Sequence, residues 1–94
     1  MDFPIGYNCA QKVAYANQAG QEVIDSLAQM GGGRAPGGLC GALYSALQLS
    51  KETEHERLKA EFAKRLGAAT CRELKAKGVP CPTCIATAIE LLKD

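Results

Sequence analysis

The chain has 94 residues, which is enough for one domain and no more. Its 11 Lys and Arg residues nearly balance its 10 Asp and Glu residues, so it lacks the basic excess that charge-driven binding to nucleic acid requires. No apolar run approaches the roughly 18 residues that cross a bilayer, and residues 1–4 lack the features of a signal peptide. We therefore expect a cytoplasmic protein that binds neither nucleic acid nor membrane.

The first half of the chain predicts three helices. Asn8 is a good N-cap, and the helical period that follows it is interrupted by Gly20, which predicts two helices over about 8–19 and 21–30. Their common apolar face is expected to be Cys9, Val13, Ala16, Gly20, Val23 and Leu27. The glycine-rich segment 31–38 permits no helix, and the next one is expected from about Leu39 to Leu49.

The second half predicts three more helices. Two capping boxes, Thr53–Glu56 and Thr70–Glu73, open helices that end near residues 66 and 77, each before a glycine. Pro82, at the tolerated first helical position, opens the last helix, whose apolar face includes Ile85 and Ala88. We therefore predict an all-α fold, a compact bundle of five or six short helices in a single domain over residues 1–94.

The predicted core is small. Hydrophobic residues make up 47% of the chain, but 15 of them are Ala and five are Cys. Ala and Leu favour helix, whereas Ile and Val are too few to favour a sheet. Such a core is expected to need reinforcement from a metal, a cluster, a disulfide or a second subunit, so a homodimer is one expectation.

The five cysteines carry the strongest chemical signal, because each falls at a predicted helix N-terminus. They are Cys9, Cys40, Cys71, Cys81 and Cys84. In a reducing compartment such clustering indicates metal binding or redox chemistry more than structural disulfides. Free N–H groups and partial positive charge in a first helical turn favour a thiolate, so at least one thiol pKa is expected below about 8.5. We expect the sulfurs to meet in one electropositive pocket; the alternative is that they only fill an Ala-rich core.

Cys81-Pro82-Thr83-Cys84 is the sharpest short motif. Two sulfurs at this spacing can close a redox disulfide or bind one metal ion together. No strand precedes the motif, which disfavours a thioredoxin fold, and no His follows it, which excludes covalent c-type haem attachment. In the dithiol interpretation both cysteines are catalytic: the more exposed one attacks and the other resolves.

Four ordered motifs of this chain resemble the C_GCAxxG_C_C family of redox-active proteins. They are Asn8-Cys9-Ala10-Gln11, Gly37-Gly38-Leu39-Cys40-Gly41-Ala42-Leu43, Cys71-Arg72-Glu73-Leu74 and Cys81-Pro82. The resemblance extends over roughly residues 6–92 and implies redox activity through the cysteines. A related module lies beside haem domains in split-Soret cytochromes, where an iron–sulfur centre has been proposed.

The resemblance also implies which residues would bind a cofactor. The matching positions are Cys9, Cys40, Cys71 and Cys81, with Gly41 and Ala42 in the central motif. In the cluster interpretation these four cysteines ligate an iron–sulfur centre, and Cys84, which the family pattern lacks, is a spare or substitute ligand. Ser45 stands where the family has glycine. The alternative function is a non-catalytic structural interaction domain with zinc on the thiolates.

Other polar features predict little chemistry. His55 lies among charged residues and is expected to be solvated. The segment 31–38 lacks the Gly-Lys-Ser/Thr ending of a phosphate loop. No Ser-His-Asp set or pair of carboxylates indicates a hydrolase, and the sequence identifies no electron donor or acceptor.

Overall fold

The computed structural model describes residues 5–30 and 36–93, and that part of the chain is all-α, as predicted. Its helices are α1 (Cys9–Ala16), α2 (Gln21–Ser26), α3 (Gly41–Gln48), α4 (His55–Leu66), α5 (Cys71–Ala76) and α6 (Cys81–Lys93). Short 3-10 turns, Pro36–Gly38 and Glu52–Glu54, precede α3 and α4. Most of the glycine-rich segment and residues 1–4 lie outside the described residues. No helix in the described ranges is long and apolar enough to span a bilayer.

Asn8 is the N-cap of α1 and also connects α1 to α2 by hydrogen bonds. Its Oδ1 accepts from the Gln11 amide at 2.8 Å, and Gln11 Oε1 accepts from the Asn8 amide at 3.0 Å, which completes a capping box. Asn8 Nδ2 donates to the carbonyls of Leu27 at 3.0 Å and Ala28 at 2.8 Å, just past the end of α2. Gln11 Nε2 donates to the Ile24 carbonyl at 3.2 Å. One pair of side chains therefore holds the start of α1 against the end of α2.

The predicted break at Gly20 is confirmed, but the apolar face changes there. Gly20 is the N-cap of α2, and the chain reaches it through Gln18, whose φ of +60° lies in the left-handed region. This turn resets the helical phase. Ile24 is therefore buried, whereas Val23, expected on the buried face, is 37% exposed.

Three helices form the centre of the fold. Helices α1, α3 and α6 pack against one another, and α4 packs on α3 and α6. The largest fully buried side chains are Phe62, Leu43, Leu58, Leu74, Leu91 and Val13. A smaller cluster of Ala10, Ala14, Ile24 and Leu27 joins α1 to α2. The first turns of α1, α3 and α6 thus belong to helices that contact one another.

The start of α4 differs from the prediction. The capping box Thr53–Glu56 does not form, because the 3-10 turn Glu52–Glu54 occupies this position and Glu54 becomes the N-cap, without a side-chain capping bond. The Glu54 carboxylate instead accepts a 2.7 Å hydrogen bond from Arg57, which lowers the pKa of Glu54. The end of α4 is as predicted, since Gly67 adopts a left-handed φ of +86°.

Thr70 is the N-cap of α5, as predicted. Thr70 Oγ1 accepts a hydrogen bond from the Glu73 amide at 3.3 Å. The Glu73 carboxylate accepts in return from the Thr70 hydroxyl, at 2.8 Å, and not from the Thr70 backbone amide as in a full capping box. An isolated antiparallel bridge pairs Leu39 with Thr70, and the Cys40 amide donates to the Ala69 carbonyl at 2.9 Å. These backbone contacts bring the starts of α3 and α5 together.

Helix α6 begins one residue earlier than predicted. Cys81 is its first residue and Pro82 its second, while the Pro80 carbonyl accepts from the amides of Thr83 and Cys84. Proline is tolerated here because the first amides of a helix have no partner within it. Ile85 and Ala88 are buried, as expected.

The sequence predicts a solvated His55, and the structure differs. His55 is half-buried, and its Nε2 lies 2.8 Å from the Leu47 carbonyl in the last turn of α3. Since a carbonyl oxygen only accepts, Nε2 carries the proton in this contact. His55 therefore joins the start of α4 to the end of α3.

Ser45, in the middle of α3, is fully buried, and its hydroxyl finds no hydrogen-bond partner among the described residues. We expect Ser45→Ala to raise the free energy of unfolding by about 1 kcal/mol, because an unpaired buried hydroxyl is unfavourable and Ala is the better helix former. Urea unfolding of the reduced protein measures this. Ser50→Ala is the control, since Ser50 Oγ donates to the Leu47 carbonyl at 3.1 Å and its loss should not stabilise. A clear loss of stability in Ser45→Ala would contradict the expectation.

Candidate functional site

All five cysteines line one cleft. The cleft contains about 390 Å³ of empty space, counting the part that opens to solvent. Its lining is formed by Cys9, Cys40, Gly41, Cys71, Leu74, Lys75, Val79, Cys81 and Cys84. The structure therefore brings together sulfurs from stretches that are far apart in the sequence.

Every cysteine lies in or next to the first turn of a helix, as the sequence predicted. Cys9, Cys71 and Cys81 are the first residues of α1, α5 and α6, Cys40 is the N-cap of α3, and Cys84 is the fourth residue of α6. Packing of α1, α3 and α6 and the backbone bridge between α3 and α5 explain why these starts converge.

The thiols differ in exposure along the cleft. Cys81 is exposed, Cys9 and Cys71 are half-buried, and Cys40 and Cys84 are only 4% and 3% exposed. All five are free thiols in this structure. An accessible sulfur therefore lies one helical turn from a buried one on α6.

Cys40 and Cys84 form a buried pair. The two residues belong to the same buried core cluster and line the same cleft, and the amides of Ala42 and Leu43 face the Cys40 sulfur. These amides do not form a full capping bond, since α3 has no side-chain cap. The pair links the start of α3 to the first turn of α6.

The pKa of each thiol in this pair is raised. Burial raises the pKa of Cys40 in spite of its hydrogen bonds. Burial, together with the neighbouring thiols of Cys40, Cys81 and Cys9, raises the pKa of Cys84 to about 12. Neither residue is therefore the thiol of lowered pKa that the sequence predicts, because desolvation of the thiolate outweighs the field of the helix at both.

Lys75 is the one charged residue among the described residues that line the cleft. It follows Cys71 by four residues on α5, a spacing that places two side chains on one helix face. Leu74 and Val79 contribute apolar surface beside it. The cleft is therefore mainly apolar, with a single cationic side chain beside the first turns of the helices.

The donor set suits soft metals, but its present arrangement does not enclose one ion. Thiolates are the preferred ligands of zinc and of iron–sulfur clusters. Within residues 5–30 and 36–93, no group of three or more His, Cys, Asp or Glu side chains is placed to hold a single metal ion. Because zinc needs sulfur ligands at about 2.3 Å, the cysteines would have to draw closer to bind one.

The two non-cysteine residues of the predicted cofactor site differ in position. Gly41 lines the cleft, whereas Ala42 is fully buried and contributes its amide, which faces the Cys40 sulfur. Sequence reasoning missed Lys75, although its spacing from Cys71 indicates a shared face. In the cluster interpretation it treated Cys84 as a spare ligand and did not predict its burial, although Cys84, Ala88 and Leu91 follow the helical period and are all buried.

Comparison of the chain with protein-family models, curated proteins and solved structures gave no match. The resemblance to the C_GCAxxG_C_C family thus rests on the cysteine motifs alone and stays a prediction.

Proposed function

We propose that this chain is a redox protein that acts through the cysteines of its cleft, by dithiol–disulfide exchange in the form that the geometry supports best. The observation that carries the proposal is an exposed Cys81 one helical turn from a buried Cys84 in a cleft lined by three further thiols. Exchange needs an attacking thiol that a substrate can reach and a second thiol close enough to resolve the mixed disulfide.

Cys81 and Cys84 have different roles in the proposed reaction. The Cys81 thiolate attacks one sulfur of a substrate disulfide, the substrate S–S bond breaks, and the released sulfur takes up a proton. Cys84 then loses its proton and attacks the Cys81 sulfur in the mixed disulfide. The Cys81–Cys84 bond forms, the second substrate sulfur leaves and is protonated, and two electrons have passed from the protein to the substrate.

The substrate is a disulfide-containing molecule, and the compartment that we assign is the cytoplasm. Thiol systems there keep protein cysteines reduced, so the reaction starts from the free thiols. The nearly neutral charge argues against nucleic acid as a partner. A homodimer, which the small core favours, remains part of the proposal and is testable by sedimentation.

The second candidate is an iron–sulfur centre. The arrangement that favours it is that four separate helix starts each place one cysteine at the same cleft. These residues are Cys9, Cys40, Cys71 and Cys81. Those four residues would hold the group, with Cys84 as a substitute, and a bound cluster would supply one-electron transfer. The first-turn amides favour the negative charge of a thiolate centre, while Leu74 and Val79 restrict water. A zinc-binding structural domain is the remaining alternative.

Anaerobic purification with metal analysis, a visible spectrum and a thiol titration separates these functions. A dithiol protein is colourless and metal-free, and its titre falls by two thiols on mild oxidation. An iron–sulfur protein absorbs visible light and bleaches on reduction, whereas a zinc protein is colourless and redox-silent. A colourless, metal-free protein whose thiols resist oxidation would leave only a packing role for the cysteines.

Cys81→Ser is expected to remove the fast phase of reaction with a disulfide probe. The probe is 5,5′-dithiobis(2-nitrobenzoate), added to reduced, chelator-treated protein, and the measured quantity is thiolate release with time. We expect a slowing of about tenfold or more, because Cys81 is the exposed thiol. The half-buried Cys71 supplies the matched control, and Cys71→Ser should keep the fast phase. The opposite ranking of the two variants would contradict the assignment.

A further inference from the structure

We propose that Cys40 attacks the disulfide that first forms between Cys81 and Cys84. The final oxidised protein then contains a buried Cys40–Cys84 disulfide that joins α3 to α6. The inference rests on the proposed dithiol chemistry and extends it. It assigns to Cys40 a part in the exchange that the short Cys81–Cys84 motif does not suggest.

The position of Cys84 carries this inference. Cys84 is three residues from Cys81 on α6, and it also packs with Cys40 in the buried core, where α3 contacts α6 and both residues line the cleft. Cys84 is therefore a neighbour of both other cysteines. Cys40 and Cys84 are almost fully buried, whereas Cys81 is exposed. The three sulfurs thus lead from the surface into the core.

The transfer step balances without any added reagent. Cys40 loses its proton and its sulfur attacks the Cys84 sulfur of the Cys81–Cys84 disulfide. The bond between Cys81 and Cys84 breaks, the bond between Cys40 and Cys84 forms, and Cys81 leaves as a thiolate that takes up a proton from water. No electrons enter or leave the protein in this step.

Two physical effects favour the buried disulfide. The leaving Cys81 sulfur is exposed and is therefore well solvated as a thiolate, which is the property of a good leaving group in such exchange. A bond between Cys40 and Cys84 also closes a far longer loop than a bond between Cys81 and Cys84, so it constrains the unfolded chain more strongly. The oxidised protein should consequently melt at a higher temperature than the reduced protein.

The pairing can be read directly by mass spectrometry. Reduced, metal-free protein is treated with oxidised glutathione, quenched with acid at intervals, alkylated and digested with trypsin without reduction. Cleavage after Lys and Arg leaves Cys81 and Cys84 in one peptide, 78–93, and Cys40 in another, 35–51, with Cys9 and Cys71 in two more. A Cys81–Cys84 disulfide is thus internal to one peptide, whereas a Cys40–Cys84 disulfide joins two.

We expect the internal disulfide early and the joined peptides, with Cys81 alkylated, as the main late product. Cys40→Ser should stop at the internal disulfide and lose the gain in melting temperature. Cys71→Ser should give the same pairing as the unsubstituted protein. If Cys40→Ser does not fold, the time course of the unsubstituted protein decides alone.

The outcomes also separate this inference from the proposed function. Persistence of the internal disulfide as the end product, or joined peptides with Cys84 alkylated, would overturn the transfer to Cys40 and leave the dithiol chemistry intact. Absence of any disulfide that includes Cys81 or Cys84 would overturn both.

Discussion

Replacing Asn8 by Ala is expected to lower the free energy of unfolding by about 2–4 kcal/mol, because one side chain supplies an N-cap and two further hydrogen bonds. The cap is the 2.8 Å bond from the Gln11 amide, and the further bonds reach the carbonyls of Leu27 and Ala28. Urea unfolding of the reduced protein, followed by circular dichroism, measures the loss. Because Cys9 adjoins Asn8, its alkylation should also become faster.

Asn8→Asp divides this effect into its two parts. A carboxylate keeps the cap of α1 and suits the positive end of the helix, but it cannot donate to the carbonyls after α2. The free energy of unfolding of Asn8→Asp should therefore lie between that of the unsubstituted protein and that of Asn8→Ala. Asn17→Ala serves as the control for a single hydrogen bond, since Asn17 Nδ2 donates only to the Val13 carbonyl in the described structure, at 2.9 Å. If Asn8→Ala cost no more than Asn17→Ala, the link between α1 and α2 would have no energetic weight.

The reduced, metal-free protein is expected to lose stability as the pH rises above about 9. Folding raises the pKa of the Cys84 thiol from 9.0 to about 12 and also raises that of Cys40. Between the unfolded and folded pKa values the unfolded chain has released protons that the folded protein still binds, so the free energy of unfolding falls with pH. Each thiol contributes at most about 1.4 kcal/mol per pH unit. Below the unfolded pKa this contribution is fully present.

Urea unfolding at several pH values between 7.5 and 10.5, with reductant and chelator, tests this dependence. Cys84→Ala should show a shallower decline than the unsubstituted protein, because one of the two buried thiols is gone. Ser45→Ala, which removes a buried group that does not titrate, should keep the original slope. Parallel curves for Cys84→Ala and the unsubstituted protein would show that Cys84 is not the source of the decline.

Much of the fold could be predicted from short-range signals. Asn8, Gly20, Gly67 and Thr70 act within one helical turn, so their effects on helix ends are visible in the sequence. The placement of the cysteines at helix starts follows from the same signals. Their convergence was an expectation that only packing among the helices could test.

The errors arise where packing overrides local pattern. Val23 was expected in the core because the helical period was continued through residues 17–20, where a left-handed Gln18 changes its phase. The raised pKa values of Cys40 and Cys84 could not be predicted from the sequence, because burial is a property of the whole fold and not of a helix start. The redox function, the cofactor and the family resemblance remain predictions.

Helix α5 gives the cleft an unusual wall. It has six residues, which is too short for a helix to persist by itself, and it is bracketed by Gly67 and Gly78, both with left-handed φ. Its attachment to the body of the protein includes the pairing of Leu39 with Thr70. Because Leu74 of α5 is also buried in the main core, this wall is held in place between two glycine turns, and its position determines how widely the cleft opens to a molecule that approaches the sulfurs.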